Sequence, residues 1–305
     1  MRLKSRLEEI YCFEIGGLRI GIELKALPGR LFIPETYRTF QVEACEFDIF
    51  LKIFLAQQPD ISLRQLLFDV QPMWQIHETN TDERVFIHKS PLFKQPYLLG
   101  VFDPDFSKGR IYIEPYLDLE SAKNRTWPFL FFPLDELLTI QLLSQKQGTL
   151  IHSCGINLDD EGVLFVGASG AGKSTLSSFF ESSRILSDDR VIIRKEIKGF
   201  RIFGTPWCGT GRIYSTKSLP LSKIFFLRHG TRNTKQPLRP AEVFRLLVAL
   251  SFLPFWDQKG LENCLKIYEE ISQTVECYSL EFLPTQEIRD IITEDLGVTG
   301  MKNQK

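Results

Sequence analysis

The 305-residue chain contains no apolar run that approaches the ~20 residues a membrane-spanning helix requires. Its first residues, MRLKSRLEEIYCF, lack the uninterrupted apolar core of a signal peptide. A cytoplasmic protein with no membrane partner is expected. Net charge is nearly absent as well: 37 basic side chains face 38 acidic ones, so no field of the whole chain would recruit nucleic acid or an anionic membrane. No C-x-x-C pair occurs among Cys12, Cys45, Cys154, Cys208, Cys264 and Cys277, which argues against a zinc site and suits reduced, mostly buried thiols. Core-forming residues are plentiful. With 43% hydrophobic and 25% charged residues the chain reads as globular, and its length favours two domains.

The first of these, 1–130, reads as β-rich. From Tyr11 to about Pro115, short apolar runs such as YCFEI, LRIGIE and RIYIEPY alternate with turn residues, the spacing of hairpins. Its Trp74, His77, His88 and Trp127 have no spaced partners and read as packing or surface residues, so no catalytic cluster is expected there. After Pro133, LDELLTIQLLSQKQG carries apolar residues at helical spacing, acidic residues at its start and a glycine at its end. A helix there leads into the second domain, 131–298, and 299–305 reads as a disordered tail.

Chemistry concentrates in that second domain. Leu150 to Leu158 reads as a strand, Asp159-Asp160-Glu161-Gly162 as a tight turn and VLFVG as a returning strand. A turn centred near Asp160 would set His152 level with about Ser169. Gly167-Ala168-Ser169-Gly170-Ala171-Gly172-Lys173-Ser174-Thr175 fits G-x-x-x-x-G-K-[ST], the Walker A pattern, between a strand and a helix expected over Lys173 to about Ser183. Each residue type has a physical task in a phosphate-binding loop. Glycines let successive backbone N–H groups converge on a β-phosphate, the lysine neutralises β- and γ-phosphate oxygens, and the Ser174 hydroxyl binds Mg²⁺. Shortly after comes Ile185-Leu186-Ser187-Asp188-Asp189-Arg190. Adjacent carboxylates beside such a loop could divide two tasks, one holding metal and the other accepting the proton of an attacking hydroxyl.

The segments IHSCGI, VGASGAGKST, ILSDDRV and GTPWCGTG, taken together over roughly 133–295, resemble the HPr kinase/phosphorylase and HPr-kinase-like proteins. The resemblance implies an α/β fold in which a kinase domain like that of phosphoenolpyruvate carboxykinase carries an atypical P-loop on a mixed sheet. It also implies His152 and Asp188 as catalytic groups with Lys173, Asp189 as metal ligand with Ser174, and ATP and Mg²⁺ as cofactors. The arginine-glycine-arginine-asparagine run of the true HPr kinases is missing, so neither phosphorolysis nor HPr as substrate is expected. Those kinases are hexamers, which leaves a homo-oligomer open.

Further along, Lys198-Gly199 reads as the turn of another hairpin. Next, the loop Gly204 to Arg212 could cover an acceptor through Thr205, Trp207 and Arg212, with Arg212 stabilising charge on the transferred group, or it could be a turn that Trp207 plugs into the core. Pro240 to Leu250, LENCLKIYEEIS and PTQEIRDIITE read as helices, and VECYSLEF as a strand. The expected function is transfer of the γ-phosphate of a nucleotide to a hydroxyl of a protein, a peptide or a small metabolite. The alternatives are a nucleotide-binding module that transfers nothing and a carboxykinase, although the second metal site and the dense arginines and lysines of a carboxykinase are not found.

Overall fold

The computed structural model describes residues 10–25, 30–43, 46–89, 96–114, 126–128, 133–285 and 287–293. Cys45, the expected domain boundary at 130/131 and the tail 299–305 lie outside them. The chain divides into two compact units, Met1–Leu142 with Pro254–Gln258, and Leu143–Leu253 with Lys259–Lys305. The class is mixed α/β, with two large mixed sheets and few helices.

In the first unit the strands are β1 (Ile10–Ile15), β2 (Leu18–Lys25), β3 (Arg30–Phe32), β4 (Ile49–Leu55), β5 (Leu63–Val70), β6 (Trp74–Thr79), β7 (Arg84–His88), β8 (Leu98–Phe102), β9 (Lys108–Ile113) and β10 (Thr126–Pro128). Eight of them form one sheet in the order β1-β2-β4-β9-β8-β7-β6-β5, while β3 and β10 make a separate parallel pair. The expected hairpins hold for β1–β2 and for β5 through β9. Between them the pattern differs, because β4 pairs in parallel with both β2 and β9. Parallel pairing needs no turn between partners and leaves no local sequence signal. His88 is 1% exposed, with neither ring nitrogen hydrogen-bonded. The expected helix spans Leu134–Gln145 and is buried from Leu134 to Ser144. Several of its buried polar side chains are hydrogen-bonded. Asp135 accepts from the Tyr37 hydroxyl, and Gln141 accepts from the Trp256 indole at 2.6 Å and donates to Asp257 at 2.5 Å.

The second unit contains β11 (Gly148–Leu158), β12 (Glu161–Val166), β13 (Ile185–Ser187), β14 (Arg190–Glu196), β15 (Gly199–Phe203), β16 (Ser218–His229), β17 (Thr234–Pro237), β18 (Ser251–Phe252) and β19 (Glu276–Phe282). The first half of β11 lies antiparallel to β14, and its second half antiparallel to β12. Strand β16 starts antiparallel to β15 and continues parallel to both β12 and β19. Through its two partners, β12 closes the ring β12-β11-β14-β15-β16. Successive residues face opposite sides. Leu164, Val166, Ile224 and Phe226 pack in a core with Val243 of helix Pro240–Leu250 and Tyr268 of helix Gln258–Thr274. Val163, Phe165, Phe225 and Leu280 pack on the other side with Leu176 and with Ile288 of helix Glu287–Thr293. Apolar cover on both sides explains why VLFV and KIFFL are continuous runs rather than alternating ones.

The β11–β12 hairpin forms as expected, but its turn is tighter. Asp159 and Asp160 alone make it, with φ of 53° and 66°, the pattern of a type I′ turn. The ladder runs from Leu158↔Glu161 to Ser153↔Val166, so His152 falls level with Gly167 and not with Ser169. The hairpin expected at Lys198-Gly199 turns at Ile197-Lys198, since Glu196 pairs with Gly199. The helix after the glycine loop covers only Lys173–Ser177, and a 3₁₀ turn, Ser182–Arg184, replaces its expected end. The hydroxyls of Ser177 and Ser178 bond back to the carbonyls of Ser174 and Thr175, at 3.0 and 2.7 Å, and so compete with helix propagation.

Candidate active site

The buried strand β12 delivers Gly167 to the start of the glycine loop. A Cβ on Gly167 would lie 2.7 Å from that of Ala171, so the chain can curl this tightly only without one. Gly170 and Gly172 have φ of 81° and 96°, the left-handed region that glycine enters at no steric cost. Ala168, Ser169 and Gly170 are exposed, as are Ser174 and Thr175. Lys173 is buried, and its Nζ donates to the carbonyls of Gly167 at 2.8 Å and Ala168 at 3.0 Å. Burial lowers the pKa of this ammonium, and the Asp189 carboxylate acts in the opposite sense.

His152 and Asp189 meet beside it. In the register of β11 and β14, His152 stands opposite Arg190, and its Nε2 lies 3.0 Å from Asp189 Oδ1. The hydrogen bond from His152 pulls the Asp189 pKa below the ordinary carboxylate range against the effect of burial, aided by the charges of Arg190 and Lys173. Asp189 is thus ionised at neutral pH, and His152 donates through Nε2–H. Arg190 also pairs with Asp189 and sits 5.2 Å from the centre of the Phe252 ring, while the His152 ring lies 6.3 Å from the same phenyl group. Sequence reasoning missed Arg190 and Phe252. Arg190 had a usable signal, since it directly follows the two aspartates, but Phe252 sits in an ordinary apolar run.

The other expected site residues part company. Asp188, expected as the base, is 3% exposed and accepts from the backbone N–H groups of Gly209 and Gly211, both at 2.8 Å. Asp189 is the aspartate that faces His152 and the lysine. Thr205 is fully buried and donates to the Arg190 carbonyl at 2.6 Å, and Trp207 is 9% exposed. Thr205 thus ties the loop to the strand that follows Asp189, and both side chains are buried. Arg212 is exposed, with φ of 53°. Cys12, Cys154, Cys264 and Cys277 are buried thiols outside any disulfide, and Cys208 is a partly exposed one.

Among the described residues no group of three or more His, Cys, Asp or Glu side chains could hold a metal ion by itself. Ser174 and Asp189 offer hard oxygens of the kind Mg²⁺ takes together with phosphate, a donor set that needs no protein cage. Among the same residues no helix is long and apolar enough to cross a membrane. A scan against protein-family models finds no match to this chain, and a search of curated proteins finds none either.

Proposed function

We propose that this chain is a Mg²⁺- and ATP-dependent phosphotransferase that moves the γ-phosphate onto a hydroxyl group of a protein, a peptide or a small metabolite. One observation carries the reading: a glycine loop with a buried lysine beneath it shares its surroundings with an imidazole hydrogen-bonded to an ionised carboxylate. The loop fits a polyphosphate. A Cβ placed on Gly170 meets nothing within 4 Å, so its outer surface is open, and Lys173 Nζ rests on carbonyl oxygens that phosphate oxygens would replace. Bound Mg·ATP would supply the transferable group and most of the charge neutralisation.

The chain's own side chains then have defined tasks. Lys173 and the loop N–H groups hold the β- and γ-phosphates, and Ser174 and Asp189 present oxygens to the cation. With Nε2–H engaged by Asp189, His152 keeps Nδ1 to take the proton of the acceptor hydroxyl, and Asp189 stabilises the imidazolium that results. Arg190, held against Phe252, adds a cation beside the site.

Loss of label from [γ-³²P]ATP tests the reading. The wild-type protein should consume ATP in the presence of Mg²⁺, and His152→Ala, which removes the base, should be slower by about 10²–10⁴-fold, the usual contribution of general-base assistance, with Asp189→Asn slowed as well. A variant that consumes ATP at the wild-type rate overturns the assignment of Asp189 and His152.

A further inference from the structure

We infer that Asp188 is a positioning residue, which latches the loop Gly204 to Arg212 onto the segment that carries Asp189 and takes no proton itself. The inference rests on the reading of this region as a phosphoryl-transfer site. Asp188 and Asp189 are neighbours that point to different partners. Asp189 reaches His152, while Asp188 turns inward, with Oδ1 on the Gly209 amide and Oδ2 on the Gly211 amide.

The glycines explain how so close a fit is possible. A Cβ on Gly211 would stand 2.7 Å from Asp188 Oδ2, and one on Gly209 3.2 Å from the same atom. Neither glycine has a positive φ, so their lack of a side chain serves approach of the carboxylate and not an unusual backbone shape. Two further bonds fasten the same pair of segments: Thr205 Oγ1 to the Arg190 carbonyl at 2.6 Å, and Ser187 Oγ to the Trp207 carbonyl at 3.4 Å. Ser187 to Arg190 thus fixes the loop and presents Asp189 at once.

A base must come within hydrogen-bond reach of the proton it removes. At 3% exposure, with a backbone N–H donor on each oxygen, Asp188 lacks the access that such a role needs. What it controls is the position of the loop, and through the shared segment the position of Asp189.

Amide hydrogen exchange combined with a pH–rate profile of Mg·ATP hydrolysis, water being the acceptor, separates the two roles. Asp188→Asn keeps one acceptor oxygen of two, so the Gly209 and Gly211 amides should exchange about tenfold faster or more. Gly211→Ala attacks the same contact from the other side with Asp188 intact and should accelerate Gly209 in the same way. Hydrolysis by Asp188→Asn should slow yet keep the acidic limb of the wild-type profile. Unchanged exchange in both variants, or loss of that limb with the loop still protected, overturns the inference. If the wild-type protein hydrolyses no ATP, the proposed function fails, while exchange still decides the latch.

Discussion

Two titratable side chains, Asp189 and His88, show how surroundings decide which form of a group survives burial. Asp189 keeps its charge because an imidazole N–H and a guanidinium face it. His88 has no such partner, and burial alone pushes its pKa down to about 4. A histidine in the unfolded chain binds its proton near pH 6.5. Between these values the unfolded state takes up a proton that the folded state refuses, so stability falls as pH drops from 6.5 to 4 and is unaffected above that window. The loss is about 3 kcal/mol. Urea unfolding of the wild-type protein should show this decline, and His88→Leu should remove that share of it. A variant with the wild-type slope would refute the buried neutral histidine. The sequence marks His88 only as a ring without partners, and that reading agrees with its place in the packing of β7.

At the scale of elements, the β11–β12 hairpin sets the reach of the site. Its two-residue turn places non-glycine residues at positive φ, and Asp160→Gly should relieve the cost at the second position while the Asp160 N–H bond to Asn157 Oδ1, 2.8 Å long, is retained. A gain of about 0.5–1 kcal/mol is expected in thermal unfolding. A loss would contradict the type I′ assignment. Much at this scale was legible beforehand. The apolar runs of β12 and β16, the helix Pro240–Leu250 behind its proline and the glycine loop all follow from local residue types. The register was not, because DDEG admits turns of more than one length, and a change of turn shifts every pair beyond it. Nor was the early end of the helix at Ser177, where hydroxyl side chains compete with the backbone.

Across the whole molecule, the parts of the site that escaped sequence reasoning are those made by contacts distant along the chain. Which of two adjacent aspartates faces the lysine depends on amides at Gly209 and Gly211, and no spacing rule contains that information. Phe252 arrives through the short pairing of β18 with β11. The Walker A residues, by contrast, are contiguous, so their grouping needs no tertiary contact to be read.

Calorimetric titration with Mg·ATP tests most directly whether the glycine loop seats a triphosphate. Wild-type protein should bind in a Mg²⁺-dependent manner, and Lys173→Ala should bind about 10–100-fold more weakly through loss of its charged hydrogen bonds to phosphate. No binding at millimolar nucleotide, or equal affinity in the two proteins, would contradict it.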